Sequence, residues 1–329
     1  MTMKRENYLF ISAFLRARES QMVSRTKAEQ MLDAPTFDDC AKMLVESGYD
    51  DMSQLNLKQI ETKLSDYRTA LFRELETMLP DVAALDLFRL KYDYHNIKVL
   101  IKSGTGPDAE RLLSDSGRVP AAKMKALYEE DLLREIPGLL PGAAAEAKAL
   151  LERSANPQLA DFLLDQAYFT EMKATAEKLG SGFADGYVRI LADTTNLRSA
   201  VRVLRMGKDI GYLHEALVPG GSVSEDRIVQ AIGRDGLQSA FAGSALSAAA
   251  ELGSEIIGGG RLTEFELACD NAVQAYLSSA KRSSYGVECV LGYLAGKETE
   301  LTAIRMILTG RLVGVPTDTI RERLRDLYA

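Results

Sequence analysis

Apolar residues at Leu87, Leu90, Tyr94, Ile97 and Ile101 follow one another at steps of 3, 4, 3 and 4. That spacing lines them up on one face of a helix. The stretch that holds them, Leu85 to Gly104, returns further along the chain. A shift of 100 residues gives Tyr187, Ile190, Thr194, Leu197 and Val201, and a further 104 gives Leu291, Leu294, Leu301 and Leu308. In the third copy Glu298 and Arg305 interrupt the apolar face, and Glu300 stands where the first two copies carry Asn96 and Asn196. Each copy closes on a glycine, Gly104, Gly207 or Gly310, the residue that most readily adopts the left-handed turn ending a helix. Each of the three stretches is a seam helix, named for its apolar stripe.

A second, acidic pattern lies upstream of each seam. Asp161, Leu164 and Asp165 map by 105 residues onto Glu266, Cys269 and Asp270, and by −100 onto the weaker echo Glu61, Leu64 and Ser65. Each repeat therefore pairs an acidic helix with a seam helix. A period near 100 residues is too long for the usual solenoid units of about 20 to 50 residues, so the repeats read as three similar helical domains. Their expected bounds are 1–107, 108–210 and 211–329, with the N- and C-terminal helices free to pack across them. The expected fold class is all-α, since strand-type alternation is scarce and Ala, Leu, Glu, Lys and Arg dominate.

Punctuation between the helices supports this division. Ala34-Pro35-Thr36 breaks one helix and offers a cap for the next, expected to run to Glu46. Asn156-Pro157 starts the acidic helix of the second repeat, and Gly180-Ser181-Gly182 separates it from the seam. Ser224, followed by Glu225 and Asp226, resembles another helix start. The least regular part is Gly207 to Gly260, and Gly258-Gly259-Gly260 reads as a flexible joint. The closing segment is expected to be a helix striped with Ile320, Leu324 and Leu327.

A hydrophobic content of 46% over 329 residues is enough to build the cores of several domains. Lys and Arg number 40 against 47 Asp and Glu, giving −7, with no dense basic tract; nucleic acid is therefore not an expected partner. No apolar run is long enough to span a bilayer, and the charged N-terminal stretch lacks a signal-peptide pattern. Cys40, Cys269 and Cys289 show no CxxC spacing and read as buried thiols of a reducing compartment.

Candidate chemistry is thin. No phosphate-loop motif is present, and His95 and His214 are the only histidines, so neither a cofactor nor a metal is expected. The repeated polar residues are Asp93 and Asn96 in the first seam and Asp193 and Asn196 in the second. A single-site enzyme has no need of the same set twice, so these residues, with His95, read as a buried polar layer that fixes register. Lys91, Lys98, Lys102, Arg198, Arg202 and Arg205 flank the seams and read as a basic surface for a partner protein.

The run Phe88 to Lys98, FRLKYDYHNIK, resembles the C subunit of the prokaryotic V-type or A-type ATPase, a family that includes the d subunit of the vacuolar enzyme. Tyr8 to Arg18, Asp161 to Phe169 and Ile320 to Leu324 carry the likeness from one end of the chain to the other. The resemblance implies a funnel of three helical domains with pseudo-threefold symmetry. It implies a non-catalytic rotor subunit, one copy per complex, at the cytoplasmic face of the cell membrane. There it would join the central stalk to the proteolipid ring and pass torque between ATP synthesis or hydrolysis and proton or sodium transport. In that setting the six cations would face the stalk. The competing reading is a stand-alone cytoplasmic helical scaffold that binds another protein.

Overall fold

A computed structural model describes residues 5–232 and 236–329. The first four residues of the N-terminal stretch that lacks a signal-peptide pattern, and residues 233–235 within the less regular part, lie outside the described residues. Among the described residues the chain is all-α, with no strand. In chain order its helices are α1 (Leu9–Glu19), α2 (Arg25–Asp33), α3 (Phe37–Lys42), α4 (Leu57–Met78), α5 (Ala83–Ser103) and α6 (Pro107–Glu110). Then come α7 (Ala121–Glu129), α8 (Leu140–Ser154), α9 (Pro157–Leu179), α10 (Gly182–Arg205) and α11 (Ile210–Ala216). The chain closes with α12 (Glu225–Ile232), α13 (Leu237–Ala240), α14 (Ser247–Glu255), α15 (Thr263–Ser278), α16 (Val287–Leu312) and α17 (Thr317–Arg321). The seam helices are α5, α10 and α16, and the acidic helices are α4, α9 and α15.

Local chemistry sets the starts of several helices. Thr36 caps α3 by accepting from the Asp39 amide, Asn56 and Gln59 form a reciprocal capping box on α4, and Asn156 accepts from Gln158 ahead of α9. Ser181 caps α10 in the same way. The helix expected to reach Glu46 ends at Lys42 and continues only as a 3-10 turn, Val45–Ser47.

Two compact units make up the chain: residues 1–82 with 269–329, and residues 83–268. In the first unit Ile60 and Leu64 of α4 meet Leu301, Ile304, Ile307 and Leu308 of α16, joined by Met31 and Leu32 of α2 and by Cys40. The seam helix α16 is buried around most of its circumference, from Val287 to Gly310, as expected of a helix apolar on every side. Cys40, Cys269 and Cys289 are all buried free thiols.

The closing segment departs from its expected helix, which stops at Arg321. Arg325 is held by Asp270, and the Asp326 amide donates to Asn271 at 3.0 Å. These bonds to α15 use backbone and side-chain groups that a continuing helix would turn away. Ile320 and Leu324 nevertheless enter the core of this unit, with Leu327 packed at its edge.

In the second unit α5 packs along α9, and α9 also meets α8, α10 and α11. Seam residues Leu87, Leu90, Tyr94 and Ile97 are buried on α5, as are Tyr187, Ile190, Leu197 and Val201 on α10. Phe88 and Tyr187 stack with ring centres 5.5 Å apart, tying the two seam helices together.

Candidate functional site

The polar residues repeated on the seam helices are buried: Asp93 and Asn96 at 0%, Asp193 at 5% and Asn196 at 0% exposure. Their partners are stretches of backbone that lie just beyond each seam. Asn96 donates from Nδ2 to the Ser114 carbonyl and accepts from the Ser114 amide, both at 2.8 Å. Asn196 makes the same pair with Val218, at 2.9 and 2.7 Å. One amide side chain thus satisfies a buried N–H and a buried C=O together, an arrangement an apolar residue cannot replace.

The aspartates hold the same straps a few residues further on. Asp93 Oδ1 accepts from the Val119 amide at 3.1 Å, and Asp193 Oδ1 accepts from Val223 at 3.0 Å. Burial raises the pKa of both carboxyls, and the bonds they accept only partly offset it. In the third seam Glu300, at 1% exposure, accepts from the Val23 amide at 3.0 Å and is held by Lys297 at 2.7 Å.

Asp93 also belongs to a charged cluster with no copy among the described residues of the other repeats. Arg118 reaches Asp93 at 2.7 Å and Glu171 at 2.8 Å, and Glu171 accepts from the Tyr94 hydroxyl at 2.8 Å. Burial pulls the Arg118 pKa down, but the hydrogen bond and charge of Asp93 lift it above its ordinary value. Sequence reasoning missed Arg118 and Glu171 because their repeat positions, Ser222 and Tyr276, carry no charge. His95 stands apart from the polar layer: it is exposed, with Nε2 2.8 Å from the Leu112 carbonyl. Adjacent to Asn96 on the helix, it points about 100° away from it.

The six cations of the seams have partners within the chain. Lys98 pairs with Asp165 at 2.6 Å and Lys102 with Asp161 at 3.0 Å. Arg198 and Arg202 both grip Glu266, at 2.5 and 2.7 Å. Arg205 donates to the Ile256 carbonyl at 2.9 Å and the Gly260 carbonyl at 3.2 Å, and Lys91 lies over the Tyr92 ring. Arg305, which interrupts the third seam, pairs with Glu61 at 2.8 Å. Each acid is one of those in the repeated acidic pattern.

The order of these pairs is regular. The seam of the first repeat holds the acidic helix of the second, the second seam holds the third, and the third seam holds the first. Among the described residues no three His, Cys, Asp or Glu side chains gather as a metal site. No helix among them is long and apolar enough to cross a membrane. A cavity of about 180 Å³ beside Lys173, Glu177, Asp185 and Arg189 mixes both signs of charge, and neither histidine lines it. The buried side chains repeated on the seams thus bind backbone in an all-helical protein, with Asp93 and Glu300 also held by Arg118 and Lys297.

The family model for the ATP synthase (C/AC39) subunit matches residues 11–323. The chain belongs to that family. It is similar to the C subunit of the V-type sodium ATPase of Enterococcus hirae, 23% identical over 98% of this chain and 99% of that one. The C subunit of the A-type ATP synthase of Methanocaldococcus jannaschii is 22% identical over 97% of this chain and 86% of its own length. The C subunit of the V-type ATP synthase of Thermus thermophilus is likewise 22% identical, over 97% of this chain and 98% of its own.

Proposed function

We propose that the chain is a non-catalytic rotor subunit of a V-type or A-type ATPase, joining the central stalk to the membrane proteolipid ring. It passes torque between ATP synthesis or hydrolysis and proton or sodium transport, one copy per complex, on the cytoplasmic face of the membrane. The observation that carries this reading is the regular order of ion pairs, first seam to second acidic helix, second to third and third to first. Three alike helical repeats linked in that order suit a socket of pseudo-threefold form. Family membership supplies the complex to which such a part belongs.

Within the proposal, stalk contact falls to the exposed members of the basic rows. Lys102 and Arg202 occupy equivalent places, 100 residues apart, and their side chains keep 36% and 58% exposure despite their acidic partners. Lys98 and Arg198 are more enclosed and serve first to hold the acidic helices.

The test is a pull-down of the tagged protein from gently solubilised host membranes, with partners identified by mass. Stalk, catalytic and proteolipid subunits should arrive together. Recovery alone, or with an unrelated soluble protein, would replace the rotor reading by that of a free-standing scaffold.

A further inference from the structure

The amides bound by the three seam carboxylates share a register of their own. Val23, Val119 and Val223 stand 96 and 104 residues apart, and α2, α7 and α12 begin two residues after each, at Arg25, Ala121 and Glu225. The first buried positions of those helices, Ala28, Met124 and Ile228, keep the same offsets. Val23 is thus the counterpart of Val119 and Val223, although it precedes every seam in the chain.

Close approach supports the match at two of the three places. Gly117 and Gly221 lie two residues before their valines, and a Cβ on either would run into the Oδ1 of Asp93 or Asp193. The equivalent residue in the first repeat is Gln21 (21 + 96 = 117), and there the carboxylate comes from a glutamate. Glu300 stands at the place of Asn96 and Asn196, three residues beyond the Asp register, which Lys297 occupies; its longer side chain reaches the Val23 amide from there at 3.0 Å, so the strap can carry a side chain. Asp with Gly, and Glu with Gln, are two solutions to one geometry.

We propose that Asp93, Asp193 and Glu300 are one set of positioning residues. Through them each seam helix grips the backbone leading into the next repeat, Val23 serving as the strap for the last seam, so that twist is handed on in the order first, second, third, first. Two of these clasps close loops of 26 and 30 residues (119 − 93 and 223 − 193). The third joins positions 277 apart and makes the series cyclic without a covalent link. The handing-on of twist rests on the rotor reading; the equivalence of the clasps does not.

Amide hydrogen exchange on the full chain tests the equivalence. Removing the acceptor in Glu300→Ala should speed exchange at the Val23 amide by at least about tenfold, leaving Val119 and Val223 nearly unchanged. Asp193→Ala should do the same to Val223 alone, and Glu300→Gln, which keeps an acceptor, should restore most of the protection at Val23. In the unaltered protein all three valine amides should exchange slowly although none lies inside a helix. An unprotected Val23 amide in that protein, or equal acceleration everywhere in a folded Glu300→Ala, would overturn the equivalence.

Coupling is read separately in the assembled ATPase. Glu300→Ala should lower the ions moved per ATP hydrolysed severalfold while hydrolysis continues, with Glu300→Gln recovering the ratio. An unchanged ratio alongside the expected exchange pattern would refute the handing-on of twist. Failure of the unaltered chain to assemble would instead refute the rotor reading, with the exchange results standing.

Discussion

Asp193 is a buried carboxylate whose hydrogen-bond donors lie on the strap, at Val223 and Ser222. Burial raises its pKa above the ordinary value, so between the unfolded and folded pKa values the native state binds the extra proton. Its contribution to stability therefore falls as pH rises through that window and stays low at neutral pH. Asp193→Asn keeps an oxygen for the Val223 amide but has no charge to bury. In urea unfolding across the acid range, the variant should be at least as stable as the parent near pH 7 and should lose the advantage toward lower pH. A variant less stable at pH 7 by more than about 1 kcal/mol would mean that the charge itself holds the strap. Asn196 makes the complementary case, since Asn196→Ala strands both a buried amide and a buried carbonyl of Val218. It should cost about 1–3 kcal/mol in the same assay. Repetition of Asp and Asn is visible in the sequence. Their partners are hidden there because a backbone amide has no residue type. Gly117 and Gly221 are the available trace, readable once the strap is aligned at its own offset rather than that of the seam.

At the scale of elements, helix starts are legible wherever a cap residue stands at them, as at Thr36, Asn156 and Ser181. The final helix falls short of its expected length because Ile320 and Leu324 are buried in an order that suits either a helix or a pinned extended tail. The rows of Lys and Arg stand out in the sequence, but nothing in it matches them to the repeated acids four residues apart. Their offsets differ by only a few residues, which is what two facing helices require. Glu266 is the most exacting test, because its carboxylate forms ion pairs with both Arg198 and Arg202. Glu266→Gln should lower stability by about 1 kcal/mol, shrinking as salt is raised, because these side chains are still partly in water. A loss that salt does not alter would assign the effect to packing of the side chain rather than to its charge.

For the whole molecule, the sequence suggests divisions at breakers, after Gly104-Thr105-Gly106-Pro107 and near Gly207. Packing groups residues by a different rule. The compact unit 83–268 begins with its first seam helix, α5, and later segments of the unit depend on it: α9 lies along it, while its Asp93 and Asn96 hold residues 119 and 114. A breaker shows where the chain turns, and it says nothing about which neighbour a buried face chooses. This difference makes an outcome at the level of fragments. A piece spanning 83–268 should fold alone, with a cooperative thermal transition followed by circular dichroism. A piece spanning 108–210 should not, since it exposes the buried Leu164, Phe169 and Met172 of α9 and leaves the second seam's Asp193 and Asn196 without a strap. Should 108–210 melt cooperatively at the same temperature as 83–268, the seam helices would be attachments to self-sufficient repeats, and the clasps would contribute little to holding the chain together.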